Sequence, residues 1–121
     1  MSDHTHQHGR ELLAQLGAEG RELRALIPGV YEGFGQMHKA AFAEGEIDKK
    51  TKELIALAIS VAVRCDGCIA SHARGASITG ASETEVAEAI GVAVSMSGGP
   101  GTVYGPRALA AYRSFARKPA D

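Results

Sequence analysis

The sequence predicts an all-α protein, a compact bundle of about six helices, on three observations. Apolar residues recur three or four positions apart along most of the chain. No segment alternates apolar and polar residues as a half-buried strand does. Glycines, prolines and capping residues punctuate the chain at helix-length intervals.

The elements follow in order. Residues Met1 to His8 form a polar leader with His4, His6 and His8 at alternate positions; no apolar pattern accompanies them, so a disordered segment is expected ahead of a single domain spanning 9–121. From Gly9 to about Leu26 the residues Leu12, Leu13, Leu16, Leu23 and Leu26 keep near-helical spacing, interrupted by Gly17 and Gly20, which predicts one or two short helices. Pro28 suits the first turn of the next helix, where Val30, Tyr31, Phe34, Met37, His38, Ala41 and Phe42 recur until Gly45. Asp48 is a good N-cap for a helix through KKTKELIALAISVAVR. The second half of that helix is apolar on nearly every side, which places it in the middle of a helical protein or of an oligomer, and its charged edge residue Glu53 needs a partner. A helix is expected from Cys65 to about Ile78, ended by Gly80, and Ser82 with Glu85 reads as a capping box for a helix through Met96. Gly98, Gly99 and Pro100 are expected to break the chain before a last helix from about Tyr104 to Arg117, with Ala108, Leu109, Tyr112 and Phe115 on one face.

Composition narrows the function classes. A length of 121 residues with 45% hydrophobic content suits one domain. Thirteen Lys and Arg against fourteen Asp and Glu, with no dense basic run, argue against nucleic acid as a partner. The N-terminus lacks the cationic and apolar regions of a secretory signal, and the longest apolar run, Leu54 to Ile59, is far too short to span a bilayer, so a cytoplasmic protein with no membrane partner is expected. With three Phe, three Tyr and no Trp, each helix buries only small side chains, and subunit association would help to cover a chain this short. The segment VAEAIGVAVSM from Val86 to Met96 fits either an internal core helix or a subunit interface.

The chemistry concentrates in RCDGCIASH, Arg64 to His72, which holds the chain's two cysteines. In a reducing compartment a permanent staple across so short a loop adds little stability, so metal binding or redox chemistry is the live question. On a helix Cys65 and Cys68 are neighbours, and so are Cys68 and His72, which puts all three on one face. The cysteines then lie about 5 to 6 Å apart, within disulfide reach, and a place in the first helical turn favours thiolate. His72 is placed to exchange a proton with Cys68 or with the oxygen leaving a broken peroxide bond. If Arg64 to Gly67 is a corner between antiparallel helices, Glu53 comes alongside His72 and orients its ring; otherwise Glu53 is an acid near a helix start. A c-type haem site fails because Ile69 follows the second cysteine. Structural zinc would need a fourth ligand besides Cys65, Cys68 and His72, for which Glu53 and His38 are the candidates.

The run KTKELIALAISVAVRCDGCIASHARGA, followed by GGPGTVYGPRAL, resembles the carboxymuconolactone decarboxylase superfamily, and the Glu, C-x-x-C and His set resembles the core of its alkylhydroperoxidase D-like members; the likeness covers roughly 27–115. The resemblance implies an all-helical homotrimer or homohexamer and an antioxidant, peroxiredoxin-like oxidoreductase. Such an enzyme takes a small hydroperoxide as substrate and an external dithiol or protein as reductant, with no cofactor and no metal. It further implies that Cys68 attacks the peroxide, Cys65 resolves the product as a disulfide, and Glu53 and His72 relay protons. One position departs from the pattern: Gly67 stands where alkylhydroperoxidase D proper carries a histidine directly before the second cysteine. Two alternatives accompany the peroxidase reading, namely a decarboxylase of the type that names the superfamily, and a non-catalytic helical oligomer whose cysteines bind metal.

Overall fold

The structure, a computed structural model, describes residues 8–116; His4 and His6 of the leader lie outside the described residues. Six helices follow one another, and no strand occurs among the described residues: α1 (Arg10–Leu26), α2 (Pro28–Phe42), α3 (Lys49–Ala62), α4 (Asp66–Ile78), α5 (Glu83–Ser97) and α6 (Gly99–Ala116). The all-α architecture expected from the apolar spacing is the one observed.

Local chemistry accounts for most boundaries. The amide of Thr51 donates to Asp48 Oδ1 at 2.8 Å, which caps α3 as its sequence predicts. Ser82 and Glu85 close the capping box of α5 from both sides, at 3.1 and 2.9 Å. Glu85 also meets Lys50 Nζ at 2.8 Å, which ties α3 to α5 and holds the Glu85 carboxyl below its ordinary range. Two boundaries differ from expectation. Helix α1 runs unbroken through Gly17 and Gly20, because a helical glycine costs only about 1 kcal/mol and does not by itself stop a helix. The break before α6 is narrower than GGP suggests. Gly98, at φ 69°, ends α5 by itself, and Gly99 and Pro100 already lie in the first turn of α6, where a missing proline N–H costs nothing.

The core sits among α3, α4, α5 and α6. Leu57 and Val61 from α3, Ile69, Ala73 and Ala76 from α4, Val86, Ile90 and Ala93 from α5, and Ala108, Ala111 and Tyr112 from α6 form one cluster. Its many alanines let the helices approach closely, so the few large side chains carry most of the burial: Leu57, Ile69, Val61 and Val86 are fully enclosed, each contributing roughly 1.5–3 kcal/mol. Tyr112 reaches across the cluster and donates its hydroxyl to the Ala81 carbonyl at 2.7 Å, so its polar end is satisfied.

The first two helices lie outside this core. Helix α1 packs on α4 and α6, α2 packs mainly on α1 and α3 and reaches α4 through its last two turns, and neither buries a residue. Large apolar side chains stand exposed on α2 (Val30, Phe34, Met37), on α3 and its C-cap (Ile55, Ile59, Val63) and on α5 and α6 (Val92, Met96, Val103), with Met96 reaching 80% exposure. In the Val86–Met96 segment Val86, Ile90 and Ala93 face the core, as expected of a core helix, while Val92 and Met96 face away from it.

Candidate functional site

The corner between α3 and α4 is built by the residues around Arg64. The amide of Val63 bonds to the Ile59 carbonyl, Arg64 to Val61 and Cys65 to Ser60 at 2.9, 3.2 and 3.1 Å, which closes α3. Arg64 takes the left-handed conformation at φ 59°, a place usually given to glycine, and so turns the chain sharply before Cys65. Helix α4 then runs back along α3. The antiparallel corner that the sequence required for Glu53 to meet His72 is present.

Cys65 occupies the N-cap of α4 and Cys68 its third helical position, with Cα atoms 5.2 Å apart and the two sulfurs joined in a disulfide. The Cys68 amide donates to Cys65 Sγ at 3.2 Å, so that sulfur satisfies one of the otherwise unpaired donors of the helix start. Cys68 is exposed and Cys65 half-buried. Cys68 is thus the more accessible residue of the pair, and the Cys65 sulfur has the better-stabilised negative charge once the bond is broken.

One turn further along α4, His72 Nδ1 faces both oxygens of Glu53, at 3.3 and 3.4 Å. The two side chains are only 13% and 12% exposed. A carboxylate so shielded from water requires a partner, and the imidazole is the one it has. Space for it is made by Gly75, since a Cβ at that position would overlap the Glu53 carboxylate. From the other side an open cleft of about 380 Å³, lined by Lys39, Phe42, Glu44, Lys49 and Thr79 among others, leads to Glu53.

The second helix supplies a roof that the sequence did not reveal. The Phe42 ring lies parallel to the His72 ring, with centroids 5.2 Å apart and planes 7° off parallel, and His38 stacks on both, 4.3 Å from Phe42 and 5.7 Å from His72. With Glu53 on one edge and this stack on its face, the His72 ring is fixed in orientation. Phe42 and His38 read in sequence as one apolar face of an amphipathic helix, and nothing in their spacing singles them out. His38, a candidate fourth zinc ligand by sequence, is used in this stack. Among the described residues no group of three or more His, Cys, Asp or Glu is arranged to hold a metal ion.

Two further features surround the cysteines. Gly67 lies under α1: a Cβ there would come within 2.9 Å of Leu16 Cδ1, so a histidine at this position would have to displace the Leu16 side chain. Between the cysteines, Asp66 receives the Arg107 guanidinium of α6.

The profile of the carboxymuconolactone decarboxylase family matches residues 28–113. A protein of Paracoccus denitrificans called uncharacterized protein 4 in cox locus is 39% identical over 79 residues, covering 65% of this chain and 71% of that one. An uncharacterized protein of Cupriavidus necator is 35% identical over 100 residues, 83% of this chain and 85% of its own. Among solved structures, an apo carboxymuconolactone decarboxylase family protein from Legionella pneumophila superposes with a TM-score of 0.85 at 36% identity, over 88% of this chain and 96% of that one.

Proposed function

The chain belongs to the carboxymuconolactone decarboxylase family, a family that includes both alkylhydroperoxidase D-like peroxidases and decarboxylases, and we propose that this member is a thiol-dependent peroxidase. The observation that carries the reading is the sharing of one helix face by an exposed Cys68, its disulfide partner Cys65, and a His72 held by Glu53. A decarboxylase has no evident use for a sulfur pair that forms and breaks a bond.

In the reduced protein the Cys68 thiolate attacks the terminal oxygen of a hydroperoxide. A sulfur–oxygen bond forms, the oxygen–oxygen bond breaks, and the alkoxide leaves as an alcohol by taking a proton delivered through His72. Glu53, on Nδ1, stabilises the imidazolium and leaves Nε2 as the nitrogen for exchange. Cys68 is now a sulfenic acid. Cys65 attacks it, the two sulfurs bond, and the hydroxyl leaves as water with the thiol proton. An external dithiol then attacks the exposed Cys68 sulfur, Cys65 departs as a thiolate that accepts the Cys68 amide, and a second exchange releases the oxidised reductant.

The assembly proposed is a homotrimer or homohexamer. Its support is the apolar surface on α2, α3, α5 and α6, which a lone subunit leaves in water. Light scattering at micromolar concentration is expected to give a trimer or larger species, and a stable monomer would count against this assembly.

The activity is tested by following hydroperoxide consumption with a dithiol reductant beside muconolactone decarboxylation on the same preparation. Turnover of the first without the second is expected. Decarboxylation without peroxide turnover would replace this reading with the family's other chemistry.

A further inference from the structure

Asp66 sits between the two cysteines at the first position of α4. A carboxylate at a helix start favours the helix, because it complements the positive end of the dipole. The same carboxylate beside a thiol pair opposes thiolate formation, because like charges repel. Helix and nucleophile therefore make contrary demands on this one residue.

The structure resolves the conflict with a residue from another helix. Arg107 Nη1 lies 3.2 Å from both Asp66 oxygens, and the guanidinium is laid over the Tyr104 ring with its carbon 4.4 Å from the centroid. Tyr104 sits one turn before Arg107 on α6, so the ring supports the guanidinium from its own helix. Arg107 is the more enclosed of the pair, at 26% side-chain exposure against 42% for Asp66. Read only as a tie between α4 and α6, such a part-exposed ion pair contributes little stability.

We infer that Arg107 is a positioning residue for the thiol chemistry: by compensating Asp66 it keeps the N-terminal acid of α4 from suppressing thiolate at Cys65 and Cys68. Asp66 pairs with Arg107, Arg64 precedes Cys65 in the chain, His72 with Glu53 lies one turn further along with His38 of α2 stacked on it, and the α1 side chain nearest Gly67 is the apolar Leu16. The inference rests on the cysteines acting as thiolates, as in the peroxidase reading.

The test needs no peroxide, so it stands or falls separately from that reading. The first thiol ionisation of the dithiothreitol-reduced, desalted protein is followed by thiolate ultraviolet absorbance and by the pH dependence of iodoacetamide alkylation. Arg107→Met, which exposes the thiols to an uncompensated carboxylate, is expected to raise the apparent pKa by about one unit, the low end of the range for a neighbouring charge because Asp66 is part-exposed. Asp66→Asn, which leaves the guanidinium uncompensated, is expected to lower it by a similar amount. The double variant is expected to return close to the unmodified protein, and Arg107→Lys to stay close to it throughout. A merely structural tie would leave the ionisation unmoved in all four. An unchanged value in folded Asp66→Asn, or shifts of the same sign in the two single variants, would overturn the assignment. If Arg107→Met does not fold, Asp66→Asn and Arg107→Lys still decide it.

Discussion

Cys68→Ser is expected to abolish the fast reaction with hydroperoxide, a loss on the order of 10³-fold or more, because the chain then lacks its exposed nucleophile. Cys65→Ser is expected to behave differently. Cys68 still reacts once, but its sulfenic acid has no resolving partner and persists long enough to be trapped by a dimedone-type reagent. The geometry supports this order in two ways. Cys68 is the exposed residue and stands one turn from His72, while Cys65 is half-buried at the helix start and receives the Cys68 amide. The same amide contact defines the opposite result. It favours thiolate at Cys65, and if Cys65→Ser loses the fast reaction while Cys68→Ser forms a trappable sulfenic acid, the nucleophile is Cys65.

Glu53→Gln is expected to slow the oxidation of Cys68 by roughly 10²-fold at neutral pH, since it keeps the size of the side chain and removes the charge that supports the imidazolium. His72→Gln is expected to cost about as much. The double variant should be little worse than either single one, as holds for groups that act as a unit. Gly75→Ala provides an independent route to the same loss. The added methyl occupies the space of the Glu53 carboxylate, so the carboxylate must leave His72 although neither residue has changed. Alanine is the better helix former by about 1 kcal/mol, and a slow but folded Gly75→Ala protein therefore separates a displaced relay from general damage. These effects are read as second-order rates of Cys68 oxidation by stopped flow. Additive losses for Glu53 and His72, or a Glu53→Gln rate near that of the unmodified protein, would make Glu53 no more than an acid near a helix start.

Much of this arrangement was legible in the sequence because it depends on spacing along one helix. Cys65, Cys68 and His72 fall on a common face wherever that segment is helical, and Asp48, Ser82 and Glu85 mark their helix starts by local hydrogen bonding that needs no tertiary context. Glu53 was legible only conditionally. Its meeting with His72 required a corner near Arg64, and a left-handed arginine is not a signal that composition provides, since glycine usually fills that place. The stacking of Phe42 and His38 on His72 and the space at Gly75 were not legible at all. They arise where α2 and α3 cross the face of α4, and a contact between helices leaves no period in any one of them. The Asp66 and Arg107 pair is of the same kind, two residues far apart in the chain that only the packing of α6 on α4 brings together. The start of α6 failed for the converse reason: GGP looks like a break, yet a proline in the first turn is as compatible with a helix as it is with a loop.

The central claim is that one hydroperoxide is reduced for each disulfide formed between Cys65 and Cys68, and single-turnover stoichiometry tests it most directly. Fully reduced protein is mixed under anaerobic conditions with one equivalent of an organic hydroperoxide, and the alcohol released is counted against the thiols lost, with the mass of the chain measured in parallel. The account predicts equal amounts of alcohol and intramolecular disulfide, and a chain lighter by its two thiol hydrogens. Thiols that survive beside unconsumed hydroperoxide, or oxidation that appears only as disulfide-linked dimers, would contradict it.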